Sequence, residues 1–339
     1  VSTFVVPLAA EVSKIARSAS IDSDVIIHSF LLTTTGYEIA RDIGIPDISA
    51  QLFPVFSDTA EFPAPTFPDF SLGGFYRRLT HKFVTQIFWQ GSRLLSVWAK
   101  RKYPDLPSPT SWPFDARNDW QTPILYAFSS HVIPRPRDWR DETHITGYWF
   151  PENHGEWVPD KELLDFIKTG PPPISIAFGS TVTHNLGEIY EKVLGALSIS
   201  KQRGIIVGDW VNFKDKAYNI YQTDYVPYDW LFKRSAAVIH HGGAGTTGKG
   251  LWAGVPNIIV PFTSDQPFWG HRVFKLGAGP KPIPVKNLSV NSLSDAIVSA
   301  MNNQDMRKRA HQIGEGIRCE DGVTQAVNII HNYVQNKTR

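Results

Sequence analysis

The run Ala-Val-Ile-His-His-Gly-Gly-Ala-Gly-Thr-Thr-Gly at 237–248 constrains the fold more than any other part of this chain. A short β-branched stretch reads as a buried strand, and it passes without a linker into glycines and then into helical spacing. Strand, glycine turn and helix in that order make one joint of a parallel α/β layer, where ligands gather at the carboxyl ends of the strands. Glycine lets backbone approach an anion closely, and a helix N-terminus offers unpaired N–H groups and the positive end of its dipole. Thr246 and Thr247 add hydroxyl donors beside His240 and His241. The same run also reads as a tight strand-to-helix turn with incidental histidines. A Walker loop is excluded, because the Gly-Lys-Ser/Thr ending is missing.

Alternation continues on both sides of that joint. After the three prolines at 171–173, the sequence predicts strands at 174–178, 204–207, 217–222, 236–239 and 257–261. Helices are predicted at 186–200, 228–233 and 245–253, near Asp265, and from Val290, Asp305 and Gly322. Such a pattern is a doubly wound α/β domain. Nearer the start, a β-branched run at 24–29, helical spacing at 33–44 and a second run at 47–53 imply a right-handed parallel crossover. The sheet this crossover belongs to needs further strands that the sequence does not make plain. Pro63, Pro65 and Pro68 forbid a regular element in 54–74, and 75–102 has the spacing of one or two amphipathic helices. A proline-rich connection near Gly147 divides the 339 residues into domains 1–146 and 147–339, the last helix packing back on the first domain.

Composition narrows the functions available. With 34 Lys+Arg against 32 Asp+Glu the net charge is +2, and no long basic run tracks phosphates, so a nucleic-acid partner is not suggested. The longest apolar stretches are strand-sized, well short of the ~20 residues of a membrane-spanning helix. One cysteine, Cys319, excludes an internal disulfide and a multi-cysteine zinc site and fits a reducing, cytoplasmic setting. The N-terminus has neither an initiator Met nor a signal-peptide pattern and reads as an internal boundary. The 20 Phe, 11 Tyr and 11 Trp are densest between Phe53 and Trp157, which suits an aromatic core and equally an apolar ligand site.

Past the next strand, Asp265 and Gln266 place a carboxylate and an amide on the same edge as the glycine turn, a pairing that suits sugar hydroxyls. Asp265 also reads as the N-cap of the following helix. Together, 240–248, the Leu-Trp-Ala-Gly-Val-Pro at 251–256, and Pro261 through Asp265-Gln266 resemble the donor-site signature of family 1 glycosyltransferases. Within that family the sterol 3-β-glucosyltransferase branch is the most similar. Thr-Gly-Tyr-Trp-Phe at 146–150, Ala-Phe-Gly-Ser at 177–180 and Glu-Asp-Gly-Val at 320–323 support it.

The resemblance implies the GT-B fold, two facing Rossmann-like α/β domains, with an incomplete acceptor-binding N-terminal domain and a donor-binding C-terminal one. It implies that Ser180, His241 and the segment Gly243, Ala244, Gly245, Thr246 and Thr247 hold a donor diphosphate, and that Asp265 and Gln266 hold the sugar. Tyr225 and Val226 fall at the base-binding turn, with Trp210 as a stacking wall. Lys249 stands where plant-type members carry a Glu for the ribose, and Ser29 where many keep an Asp beside the catalytic His. The reaction implied is inverting transfer from a UDP-sugar, glucose by resemblance, to a hydrophobic alcohol such as a sterol, with no cofactor and no metal. Peripheral contact with a membrane, through the Phe, Trp and Lys/Arg of 75–102, goes with such an acceptor. The family's general base lies in a Gly-His/Asp-Val-x-Pro segment; none occurs here, so the base is expected outside these residues.

Overall fold

A computed structural model describes residues 2–115, 121–151, 157–179, 186–208 and 219–337. It divides into two compact units, the first formed by Val1–Ser130, Pro134–Trp149 and Asp321–Arg339, the second by His131–Ile133 and Phe150–Glu320.

The first unit contains α1 (Ser2–Ser20), β1 (Ile26–His28), α2 (Thr33–Ile43), β2 (Asp47–Gln51), α3 (Gly73–Lys102), β3 (Ile124–Tyr126) and β4 (Thr143–Ile145). Its four strands lie in sequence order and all pair in parallel, with His28 beside Ser49 and Gln51 beside Tyr126. Three of these elements are absent from the sequence expectation: α1, which contains Pro7, and the three-residue strands β3 and β4. The region 75–102 is a single helix of 30 residues. Helix α2 stops at Gly44, whose φ of +76° closes the last turn. Under the sheet, Ile48 and Leu125 pack with Ala326 and Tyr333 of the final helix.

The second unit contains α4 (Lys161–Lys168), β5 (Ile174–Ala177), α5 (Leu186–Ile199), β6 (Gly204–Val207), β7 (Ile220–Thr223), α6 (Tyr228–Phe232) and β8 (Ala237–His240). It continues through α7 (Ala244–Ala253), β9 (Asn257–Ile259), α8 (Gln266–Lys275), α9 (Val290–Asn302) and α10 (Gln304–Arg318); α11 (Gly322–Lys337) then returns to the first unit. The five strands are all parallel in the order β7-β6-β5-β8-β9. Period-two alternation divides their side chains between the faces. Ile174, Ile176, Ile206 and Ile239 pack against α5 and α9 on one side, and Ala177, Ile205, Val207 and Val238 pack with Leu231 and Phe232 of α6 on the other. Both faces are buried, which is why these strands read as continuous apolar runs.

Candidate functional site

The strand order reverses between β5 and β8, and the carboxyl ends of those two strands bound a crevice of the kind that takes ligands in open α/β sheets. Ala177 of β5 and His240 of β8 are paired there, so the turns that follow begin side by side. The His241 ring lies between two glycines. A Cβ on Gly179, whose φ is +63°, would stand 3.2 Å from His241 Cε1, and one on Gly243 would stand 2.5 Å from Nε2. Gly242 turns the chain at φ +91°, and a Cβ there would come within 2.7 Å of Ile259 and 3.0 Å of the Gln266 carbonyl.

The two histidines have opposite fates. His240 is fully buried and fully bonded: Gly242 N–H donates to its Nδ1 (3.1 Å), and Nε2 pairs with Asn257 Oδ1 (2.9 Å). An accepting Nδ1 puts the ring proton on Nε2, so the imidazole is neutral and donates to Asn257, whose own amide donates to the Val255 carbonyl. Burial, with the neighbouring His241 adding to it, depresses its pKa to about 3. His241 lies one residue further, at the mouth of the crevice. It is 7% exposed, and its buried Nδ1 lacks a well-formed hydrogen bond. Burial lowers its pKa, opposed by a weak hydrogen bond to the Ala177 carbonyl and by the charge of Asp265.

Helix α7 opens beside that ring. Gly243 is its N-cap and no side chain caps it, so the amides of Gly243, Ala244, Gly245 and Thr246 have no intrahelical acceptor. At Thr247 the N–H is spent on the Gly243 carbonyl (2.9 Å), the first bond of the helix, while the buried side-chain Oγ1 has no hydrogen-bond partner. Gly243, Gly245 and Gly248 also satisfy Gly-x-Gly-x-x-Gly. That spacing does not separate a dinucleotide from a nucleotide sugar, since both lay a diphosphate on a helix N-terminus.

The next joint, β9 into α8, carries Asp265 and Gln266. Asp265 occupies the N-cap position of α8 without capping it; its Oδ2 accepts from Trp269 Nε1 (2.9 Å). Gln266 is buried, and its Oε1 accepts from the amides of Phe262 (2.8 Å) and Thr263 (3.2 Å), which leaves Nε2 as its donor toward a ligand. Ser264, between them, holds a φ of +59°, unusual for a residue with a Cβ.

Tyr225 is exposed and Val226 buried, and among the described residues the main-chain N–H and C=O of Val226 make no hydrogen bond, so a backbone edge is open there. Ser180 and Trp210 lie outside the described residues. Lys249, on the second turn of α7, points its amine at the Phe150 ring (4.4 Å) and stands 4.0 Å from Asp229. Burial lowers its pKa, Asp229 raises it and Lys233 lowers it. Asn257 has no part in the sequence-derived site, although an amide inside an apolar strand is a readable signal that something buried needs a partner. Asp22-Ser-Asp24, the chain's Asp-x-Asp, lies in an exposed turn of the first unit, and among the described residues no three His, Cys, Asp or Glu side chains converge as metal ligands.

Residues 212–331 match a family described as erythromycin biosynthesis protein CIII-like, C-terminal domain. A sterol 3-beta-glucosyltransferase of Arabidopsis thaliana is 36% identical over 282 residues, covering 82% of this chain and 44% of the relative. An O-mycaminosyltylonolide 6-deoxyallosyltransferase of Streptomyces fradiae is 33% identical over 320 residues, covering 93% of this chain and 74% of the relative. The chain thus spans less than half the length of its plant relative. A crystal structure of the glycotransferase of kitacinnamycin superposes with a TM-score of 0.69 at 19% identity over 96% of this chain and 80% of that one.

Proposed function

This chain belongs to the family 1 glycosyltransferases and has their GT-B type of α/β fold, and on that premise we propose that it transfers a sugar from a UDP-sugar to a hydrophobic alcohol. The observation that carries the donor half is the uncapped N-terminus of α7, whose open amides lie beside the His241 ring. In this reading Gly243, Ala244, Gly245 and Thr246 bind the diphosphate, helped by His241, while Asp265 and Gln266 Nε2 orient the sugar. Val226 offers its backbone edge to the base beside the exposed Tyr225. The acceptor hydroxyl oxygen bonds to the anomeric carbon as the carbon–oxygen bond to the diphosphate breaks; the electron pair leaves with UDP and the hydroxyl proton passes to a general base. Preorganised amides, a helix dipole and an imidazole meet that growing negative charge, without a metal.

For the acceptor, support comes from the first unit. Phe30, Phe53, Phe56, Phe88, Trp112 and Phe114 form a continuous aromatic cluster, with ring centroids 4.7 Å apart at Phe30–Phe88 and 5.3 Å at Phe56–Trp112. Such a surface takes a polycycle by burying apolar area. The sterol reading follows the plant relative, with glucose as the sugar. A polyketide-type acceptor is the second reading, favoured by the Streptomyces relative, which this chain covers over most of its length.

Calorimetry with UDP, TDP and ADP, followed by UDP-glucose turnover with a sterol and with a macrolide aglycone, tests this. UDP-selective binding is the expected result, and sterol-dependent UDP release would place a general base within these residues. Turnover with the macrolide alone moves the acceptor to the second reading. Binding without turnover leaves the general base outside these residues or makes this chain a nucleotide-sugar binder, and no binding of any nucleotide removes the donor site.

A further inference from the structure

We propose that the outer face of α3 docks on an anionic lipid surface, an inference that does not rest on the donor-site reading. The exposed side chains Phe75, Leu79, Phe83, Ile87, Leu94 and Val97 are each more than half exposed, Phe75 82%. At 100° per residue they fall within an arc of about 120° along a helix about 45 Å long. The opposite side of the helix buries His81, Val84 and Ala99, so the stripe is the face turned away from the core of its unit. Exposed Phe70 and Leu72 extend it beyond the N-terminal end.

Charge selects the partner. Helix α3 contains seven Lys/Arg and no Asp or Glu, and none occurs anywhere in 70–104. Lys82, Arg93 and Lys100 line one flank of the stripe, and Arg101 lies at its C-terminal end. Arg93 stacks on Trp89 (5.8 Å), and among the described residues Lys82, Lys100 and Arg101 have no carboxylate partner. An apolar stripe edged by cations, on a helix not apolar enough to cross a bilayer, is the layout of a helix lying in the headgroup boundary. A second copy of this chain docked by the same face would set cation against cation, because a two-fold interface pairs a patch with itself.

Co-sedimentation of the 339-residue chain with vesicles tests the proposal. Binding to phosphatidylcholine mixed with phosphatidylglycerol, weaker binding to phosphatidylcholine alone and a fall with added salt are expected. Phe75→Ser with Phe83→Ser should weaken binding by roughly tenfold per phenylalanine, and Lys82→Glu with Lys100→Glu by at least about fivefold per cation. Ile199→Ser, an exposed apolar position of the second unit, should change nothing. Thermal melts matching the parent chain show that these surface variants fold. Absence of vesicle binding, equal binding to neutral and anionic vesicles, or α3 variants that bind like the parent would overturn the proposal. So would a concentration-dependent dimer that the Phe variants abolish while vesicle binding persists.

Discussion

Two neighbouring joints on one edge of the second sheet, β8 into α7 and β9 into α8, use their polar groups in opposite ways. At the first, four amides of an uncapped helix have no intrahelical acceptor and His241 Nδ1 lacks a well-formed hydrogen bond. At the second, Gln266 Oε1 takes two loop amides and Asp265 takes the Trp269 indole. Both joints satisfy the rules for a strand entering a helix, so the difference is not a requirement of the fold. The first leaves its donors unspent, and the second uses its side chains to brace a loop.

Substitutions sharpen or break this contrast. The largest expected effect is at Gly242, where alanine must hold φ near +91° with its Cβ 2.7 Å from Ile259. Gly242→Ala should lower stability by about 3 kcal/mol or more in urea titrations. His240→Ala comes next. Removing the buried link from Gly242 to Asn257 should cost about 2–4 kcal/mol. The pH dependence has a definite sign. His240 titrates near 6.5 when unfolded and at about 3 when folded, so the unfolded chain binds the extra proton between those values. Stability contributed by the neutral ring is therefore present above pH 6.5 and lost as pH falls toward 3, and His240→Gln should flatten that part of the profile.

Smaller effects belong to the second joint. Gln266→Ala should cost roughly 1–3 kcal/mol by freeing the Phe262 and Thr263 amides. It should also slow use of a sugar donor more than it weakens binding of free UDP. Asp265→Asn should leave stability within about 1 kcal/mol, because the amide oxygen still accepts from Trp269. It should nevertheless lower the His241 pKa further, since the Asp265 charge raises it. An NMR titration in which His241 does not move would detach the two joints from each other.

How much of this was readable in sequence differs between the units for physical reasons. Strands β5, β6, β8 and β9 are β-branched runs ended by glycine or proline, signals that need no tertiary context. In the first unit β3 and β4 are three residues each, too short for any period to show, and Pro7 argues against the helix that contains it. Helix α3 carries apolar residues on its solvent side as well as its core side, which blurs the amphipathic pattern. At the site, spacing located the turn but could not show that the helix itself uses the Thr247 amide. It could not show that Gln266 spends its oxygen inside the protein, because that depends on the path of the 262–263 loop.

The most direct test of the β8–α7 joint as a diphosphate seat is calorimetry of UDP and of uridine against the parent chain and His241→Ala, with both melting curves recorded. The account predicts UDP bound well above uridine, and UDP binding about tenfold to a hundredfold weaker in His241→Ala with the fold intact. Equal affinities for UDP and uridine, or a His241→Ala chain that binds UDP as the parent does, would contradict it.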